Sequence, residues 1–215
     1  EITVSDCKVE DWQNNWKQYF HPMPIGEKLL IRPVWIDDYD ADGRAVLDIE
    51  PGLAFGSGSH PTTRLCLETL ERYVKNGDEV LDIGCGSGIL SIATLLLGAK
   101  HALGVDIDSL AVKTAKENAK QNGFAEDRFT AVQGNLSDKV NGKFDIVVAN
   151  IVADIIMEFN TEVGKFLKDD GVYITGGIIE NREDEVLYSF NQNGFEVIER
   201  HENNGWLVFV LKKTL

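Results

Sequence analysis

From residue 79 onward short apolar runs alternate with amphipathic ones, and no other feature of the chain constrains its fold as tightly. "EVLDIG", "HALGVDI", "RFTAVQG", "KFDIVVAN" and "GVYITGGI" read as strands, while "GILSIATLLLG", "SLAVKTAKENAKQNG", "ADIIMEFNTEVGKFL" and "REDEVLYSFNQNG" repeat apolar residues at the helical period. Strands and helices in this alternation imply parallel strands, right-handed crossovers and helices on both faces of the sheet. The closing "FEVIERHENNGWLVFVLKK" departs from the rhythm. Its two strand patterns, 195–200 and 206–212, meet through Asn203-Asn204-Gly205 with no room for a helix, so an antiparallel pair is expected. The fold class is α/β: a doubly wound, mostly parallel, seven-stranded sheet with a C-terminal antiparallel hairpin.

Upstream the pattern is looser. "VEDWQNNWKQYF" (9–20) sets Trp12, Trp16, Tyr19 and Phe20 on one helical face, as an aromatic stripe suited to core or inter-domain packing. "KLLIRPVW" (28–35) and "RAVLDIE" (44–50) flank an acidic turn and are expected to form a small hairpin. After a loop, "EPGLAFGSGSHPTTR" (50–64), Pro61 suits a first helical turn that runs to Gly77. The expected organisation is a linker helix over 1–25, a small hairpin and active-site loop over 26–60, and one large domain over 61–215.

The 35 acidic and 21 basic residues give a formal charge of −14, which argues against direct nucleic-acid contact and anionic membranes and favours a basic partner. Cys7, Cys66 and Cys85 have neither paired nor metal-type spacing and read as reduced thiols of a cytoplasmic protein, with no metal site. No apolar run approaches a membrane span, and nothing at the start resembles a signal peptide. The first residue is Glu1 rather than Met, as expected of a trimmed chain.

"VLDIGCGSG" places Gly84, Gly86 and Gly88 after a buried strand and at a helix start, where a missing Cβ lets the backbone approach a ligand. The next strand ends in "GVDIDS", where Asp106, followed by Ile107, can accept two ribose hydroxyls. Together these describe a nucleoside site. The glycines are one residue tighter than the dinucleotide fingerprint, which brings a diphosphate to the helix N-terminus. Asp82 is unfavourable beside a diphosphate but useful to an ammonium. Both details, with the final hairpin, favour S-adenosylmethionine over a nicotinamide dinucleotide. In "GNLSD", Asn135 or Leu136 is placed to border the adenine.

"FDIVVANIVAD" ends its strand at Asn150, on the sheet edge where open α/β folds bind ligands. Enzymes that methylate planar nitrogens commonly follow this position with Pro-Pro and a stacking aromatic. Here Ile151, Val152 and Ala153 follow instead, pointing to an aliphatic amine. His60, with an unperturbed pKa near neutrality, is a candidate proton acceptor, although a His before Pro at a helix start also serves as a cap. Two alternatives remain at this level: a methyltransferase acting on RNA or a small molecule, and a cofactor-binding module without activity of its own.

"EPGLAFGSGSHPTT", "VLDIGCGSGILSIA", "GVDID", "ENAKQNG" and "VVANIVADI" occur in the order and spacing of the PrmA-type ribosomal protein methyltransferases, and the chain resembles that family over nearly its whole length. The first of these motifs is the specific one. The resemblance implies a Rossmann-like class I fold and methylation of lysine ε-amino and N-terminal amino groups of large-subunit ribosomal protein eleven. It places cofactor contacts on Thr63, Gly84, Asp106 and Asn150, with Phe55 in the neighbouring loop, and leads us to expect a monomer. It further implies that an N-terminal recognition domain would precede Glu1. Ser57 and Ser59 stand where the family more often has Thr.

Overall fold

The computed structural model describes residues 20–50 and 58–214. Cys7, Trp12, Trp16, Tyr19, Phe55 and Ser57 lie outside them. Ten strands and five α-helices make up the described part: β1 (Met23–Ile25), β2 (Leu29–Pro33), β3 (Ala45–Ile49), α1 (Pro61–Tyr73), β4 (Glu79–Ile83), α2 (Ile89–Leu96), β5 (His101–Asp106), α3 (Ser109–Gln121), β6 (Phe129–Gln133), β7 (Phe144–Asn150), α4 (Ala153–Asn160), β8 (Leu167–Ile179), α5 (Glu183–Gln192), β9 (Phe195–Asn203) and β10 (Trp206–Lys213).

The large sheet has the order β6-β5-β4-β7-β8-β10-β9. Strands β4 to β8 pair in parallel, and only β10 runs against its neighbours. The final hairpin forms as expected. Asn204 (φ 54°) and Gly205 (φ 76°) both take positive φ, as a two-residue turn matched to the strand twist requires.

Strand β7 reads as a continuous apolar run because it is covered on both faces. Ile146 and Val148 pack into one core, with the small sheet and α1 to α3. Val147 and Ala149 pack into the other, where Phe159 of α4, Phe190 of α5 and Phe209 meet. Each fully buried side chain of this size stabilises the fold by roughly 1.5–3 kcal/mol. Among the described residues, no helix is long and apolar enough to cross a membrane.

Three expectations need correction. Segments 28–35 and 44–50 do not form a hairpin: β2 and β3 pair in parallel, and the antiparallel partner of β2 is β1, which begins inside the stretch expected as linker. Parallel register sets Arg32 opposite Asp48, where two hydrogen bonds of 2.6 and 2.7 Å join them, and Ile31 opposite Leu47 in the core. A hairpin closed by the acidic turn would have offset these matches. The helix expected over 153–167 stops at Asn160, and Leu167 already opens β8. Thr161 and Gly164 weaken the helix there, and the Phe144 N–H bonds to the Phe166 carbonyl at 2.7 Å, drawing the chain into the sheet.

Helix α3 fastens the two sheets together. Asn118 donates to the Ser87 carbonyl in the glycine loop (2.8 Å). Asn122 accepts from the Asp48 N–H (2.8 Å) and donates to the Asp48 carbonyl (2.7 Å) at the end of the small sheet. Both asparagines belong to "ENAKQNG".

Candidate active site

Strand order reverses beside β4: β5 and β6 lie on one side of it and β7 and β8 on the other. At that switch point, on the carboxyl edge, is a cavity of about 530 Å³. Gly84, Gly86, Asp106, Ile107, Asn135, Leu136, Asn150 and His60 all line it. Residues spread over 90 positions of sequence are therefore brought into one wall.

The β4–β5 side is built from backbone hydrogen bonds. Gly84 (φ 71°) and Gly86 (φ 54°) turn the chain in a region that favours glycine. The Gly84 N–H bonds to the Val105 carbonyl at 2.8 Å, and the Gly86 N–H bonds to Asp106 Oδ2 at 2.8 Å. Asp106 Oδ1 accepts from the Asp108 N–H at 3.0 Å. Ile107 is 70% exposed on the rim, and Gln133 donates to its carbonyl at 3.0 Å. Leu136 holds a positive φ of 48°, a strained conformation for a leucine, in a turn closed by the Asn135 N–H on Asp138 Oδ1 (3.1 Å).

Asp82 and Gly88 stand behind this wall. Gly88 (φ 79°) begins α2, and a Cβ there would lie 3.0 Å from the Ala115 Cβ, so it serves helix packing. Asp82 is 1% exposed: Oδ2 accepts from the Ser91 N–H (3.1 Å) and Oγ (2.7 Å), while Oδ1 is buried without a partner among the described residues. Burial pushes its carboxyl up to about 6, against the opposing pull of the Ser91 bonds. The Cys66 and Cys85 thiols are likewise pushed up by burial, which keeps them protonated.

The β7–β8 side is assembled differently. Asn150 Nδ2 donates to Thr63 Oγ1 at 3.3 Å, joining the end of β7 to a buried threonine of α1. Asn150 Oδ1 is buried with no partner among the described residues. His60 caps α1: its Nδ1 accepts from the Thr62 N–H at 3.3 Å and lies 2.9 Å from Thr62 Oγ1, and its ring meets Trp206 edge-on at 4.7 Å. Thr62, Val152, Ile155, Gly177 and Trp206 complete this wall. Of these, only Val152 is singled out by the sequence, as part of the aliphatic run after Asn150. Gly177 has φ 81°, and a Cβ there would lie 2.3 Å from the Ile151 carbonyl oxygen, a contact 26 residues away that no local motif reveals. Trp206 follows the Asn204-Gly205 turn, the one signal that could have marked it. Among the described residues no cluster of three His, Cys, Asp or Glu side chains could hold a metal ion.

The seven-stranded order, with its reversed β10 and its cavity at the switch, places the chain in the Rossmann-like methyltransferase fold class. A solved methyltransferase of that class from Thiobacillus denitrificans, in complex with S-adenosyl-L-homocysteine, shares the fold at a TM-score of 0.57 and 19% identity, over 72% of this chain and 93% of that one. Residues 1–214 match the family described as "Ribosomal protein L11 methyltransferase (PrmA)", and the chain belongs to that family. A ribosomal protein L11 methyltransferase of Clostridium perfringens is 48% identical over 215 residues, 99% of this chain and 68% of that relative. The ribosomal protein L11 methylase of Lactobacillus delbrueckii subsp. bulgaricus superposes with a TM-score of 0.86 at 31% identity, over 91% of this chain and 100% of that one.

Proposed function

We propose that the chain transfers methyl groups from S-adenosylmethionine to lysine ε-amino and N-terminal α-amino groups of a large-subunit ribosomal protein. One observation carries this reading: Asn150, held by Thr63, opens into the same cavity as Asp106 and is followed by the aliphatic Ile151 and Val152, while the rings on that wall, His60 and Trp206, pack edge-on against each other. The cavity residues fit the cofactor. Each Asp106 oxygen takes one backbone N–H and keeps a second lone pair for a ribose hydroxyl. Ile107 and Leu136 offer apolar flanks to a purine, with Asn135 at its polar edge. Buried Asp82 supports the cofactor's ammonium end from behind, through the first turn of α2 that it braces at Ser91.

When bound, the sulfonium supplies an activated methyl group and departs as a neutral thioether. The protein's own task is to align the acceptor and keep it unprotonated. A lysine with a pKa of about 10.4 is neutral about once in ~2,500 at pH 7, equivalent to ~4.6 kcal/mol. Ile151, Val152 and Ile155 give the mouth an apolar lining that disfavours the ammonium form. Buried Asn150 Oδ1 lacks a partner among the described residues, a state that costs about 1–3 kcal/mol and that an amine N–H relieves. Phe55, which the family resemblance sets beside the cofactor contacts, lies outside the described residues. His60 is held as a cap, and its second proposed role, proton acceptor, is decided by the pH dependence of a His60→Ala variant.

The test is transfer of labelled methyl from S-adenosylmethionine to purified ribosomal protein L11, with the labelled residues identified by mass spectrometry. Label on lysine and the N-terminus is expected, and its absence would refute the assignment. Asn150→Ala should lower turnover about 10²-fold, the scale of losing an orienting hydrogen-bond partner, while calorimetry shows cofactor still bound.

A further inference from the structure

Two backbone N–H groups fix the plane of the Asp106 carboxylate, one on each oxygen. Oδ2 takes the Gly86 N–H of the glycine loop at 2.8 Å, and Oδ1 takes the Asp108 N–H at 3.0 Å. A carboxylate that is to meet two ribose hydroxyls binds best when that plane is set beforehand, because any rotation still open to it must be given up when the ligand arrives.

Both arms lead to helix α3. Asp108 caps it, its Oδ1 accepting from the Leu110 N–H at 2.9 Å. Gly86 belongs to a tight turn closed by the Gly88 N–H on the Cys85 carbonyl at 2.8 Å, and the Ser87 carbonyl of that turn accepts from Asn118 Nδ2 at 2.8 Å. Asn118 and Ser87 are 2% and 3% exposed, so bulk water does not stand by to replace the bond. Ala115, one turn earlier on α3, packs against Gly88. The contacts close a ring that runs from Asp106 through Gly86, Ser87, Asn118, the body of α3 and Asp108 back to Asp106.

We propose that Asn118 is a positioning residue for the cofactor: it acts through Asp106, holding the glycine loop where the Gly86 N–H turns the carboxylate to the ribose. The inference rests on the reading of Asp106 as the ribose acceptor and names what sets its geometry. Asn122, one turn further along the chain, supplies the comparison. Its side chain bonds to the Asp48 backbone and to the Asn118 carbonyl, and not to the glycine loop. Losing Asn122 therefore loosens the small sheet and leaves the ring closed.

The experiment is a double-mutant cycle on cofactor affinity, read by calorimetry with S-adenosylhomocysteine. Asn118→Ala alone should bind about tenfold more weakly, the scale of one buried hydrogen bond. In the Asp106→Ala background the same substitution should change affinity by less than about twofold, because the group it positions is gone. Asn122→Ala should bind as the wild type does. In labelled methyl transfer to ribosomal protein L11, Asn118→Ala should raise KM for S-adenosylmethionine about tenfold and keep kcat within about twofold. Equal losses in the two backgrounds, unchanged affinity in Asn118→Ala, an equal loss in Asn122→Ala, or a fall in kcat with KM unmoved would each overturn the proposal. If Asn118→Ala does not fold, amide hydrogen exchange on the wild type decides the matter. The Gly86 and Asp108 N–H groups should be protected before cofactor is added, and protection that arrives only with S-adenosylhomocysteine would overturn the proposal. Wild-type affinity in Asp106→Ala would instead refute the ribose reading and the inference with it. Failure of methyl transfer by the wild type would refute the catalytic reading, while the binding cycle still judges Asn118.

Discussion

The two sides of the cavity are built on opposite principles. On the β4–β5 side every loop that meets the ligand space is closed by backbone hydrogen bonds, at Gly84, Gly86, Asp108 and Asn135. On the β7–β8 side Asn150 Oδ1 is buried without a partner among the described residues, and Val152 and Ile155 are apolar yet exposed. The first side is finished before anything binds; the second has needs that an arriving substrate would meet. Ile151 stands between them. A Cβ on Gly84 would strike its Cγ2 at 2.3 Å, and one on Gly177 would strike its carbonyl oxygen at 2.3 Å.

That shared residue gives the largest predicted contrast. Gly177→Ala meets immobile backbone as well as an unfavourable φ, and should destabilise by about 4 kcal/mol in urea titration. Gly84→Ala meets a side-chain methyl that can turn aside, and should cost about 2 kcal/mol. Equal losses would mean that the acceptor side is as pliant as the cofactor side.

The exception on the well-satisfied side is Asp82, whose carboxyl is raised from 3.8 to about 6 in the folded protein. Between these values the folded state binds more protons than the unfolded one. Its contribution is therefore fully present below about pH 4 and is lost as pH rises through 6. Asp82→Asn keeps an acceptor for Ser91 but no charge. Its stability should gain on the wild type by up to ~3 kcal/mol between about pH 4 and 7, measured as denaturant midpoints. A constant difference would remove Asp82 as the strained group.

Smaller effects follow. Asp106→Ala should weaken S-adenosylmethionine binding about 100-fold by calorimetry, because two hydrogen bonds to a charged acceptor are lost. His60→Ala should lose about 1 kcal/mol of stability with the α1 cap, and its single-turnover rate should keep the wild-type pH profile between about pH 6 and 9. A profile that flattens would make His60 the proton acceptor.

What could be read from the sequence divides along the same line. The alternation from residue 79, the glycine loop and Asp106 are local patterns, and local patterns announce local geometry. The direction of β3 was not legible, because periodicity records which face a residue takes and not which way its strand runs; the Arg32–Asp48 match decides it only once both strands are placed. Gly177 and Trp206 reach the cavity through contacts distant in sequence. Thr63 was reached through the family resemblance, and its bond to Asn150 spans 87 residues.

The Asn122 clamp has a further consequence. Strand β3 is one of the two outer strands of the three-stranded sheet, and an unpaired outer strand invites pairing with another chain. By taking both the N–H and the carbonyl of Asp48, the Asn122 amide imitates one rung of a neighbouring strand and then offers nothing to extend. The same side chain that ties the small sheet to α3 thus protects its edge, and losing it would show in aggregation on storage before it showed in the assay.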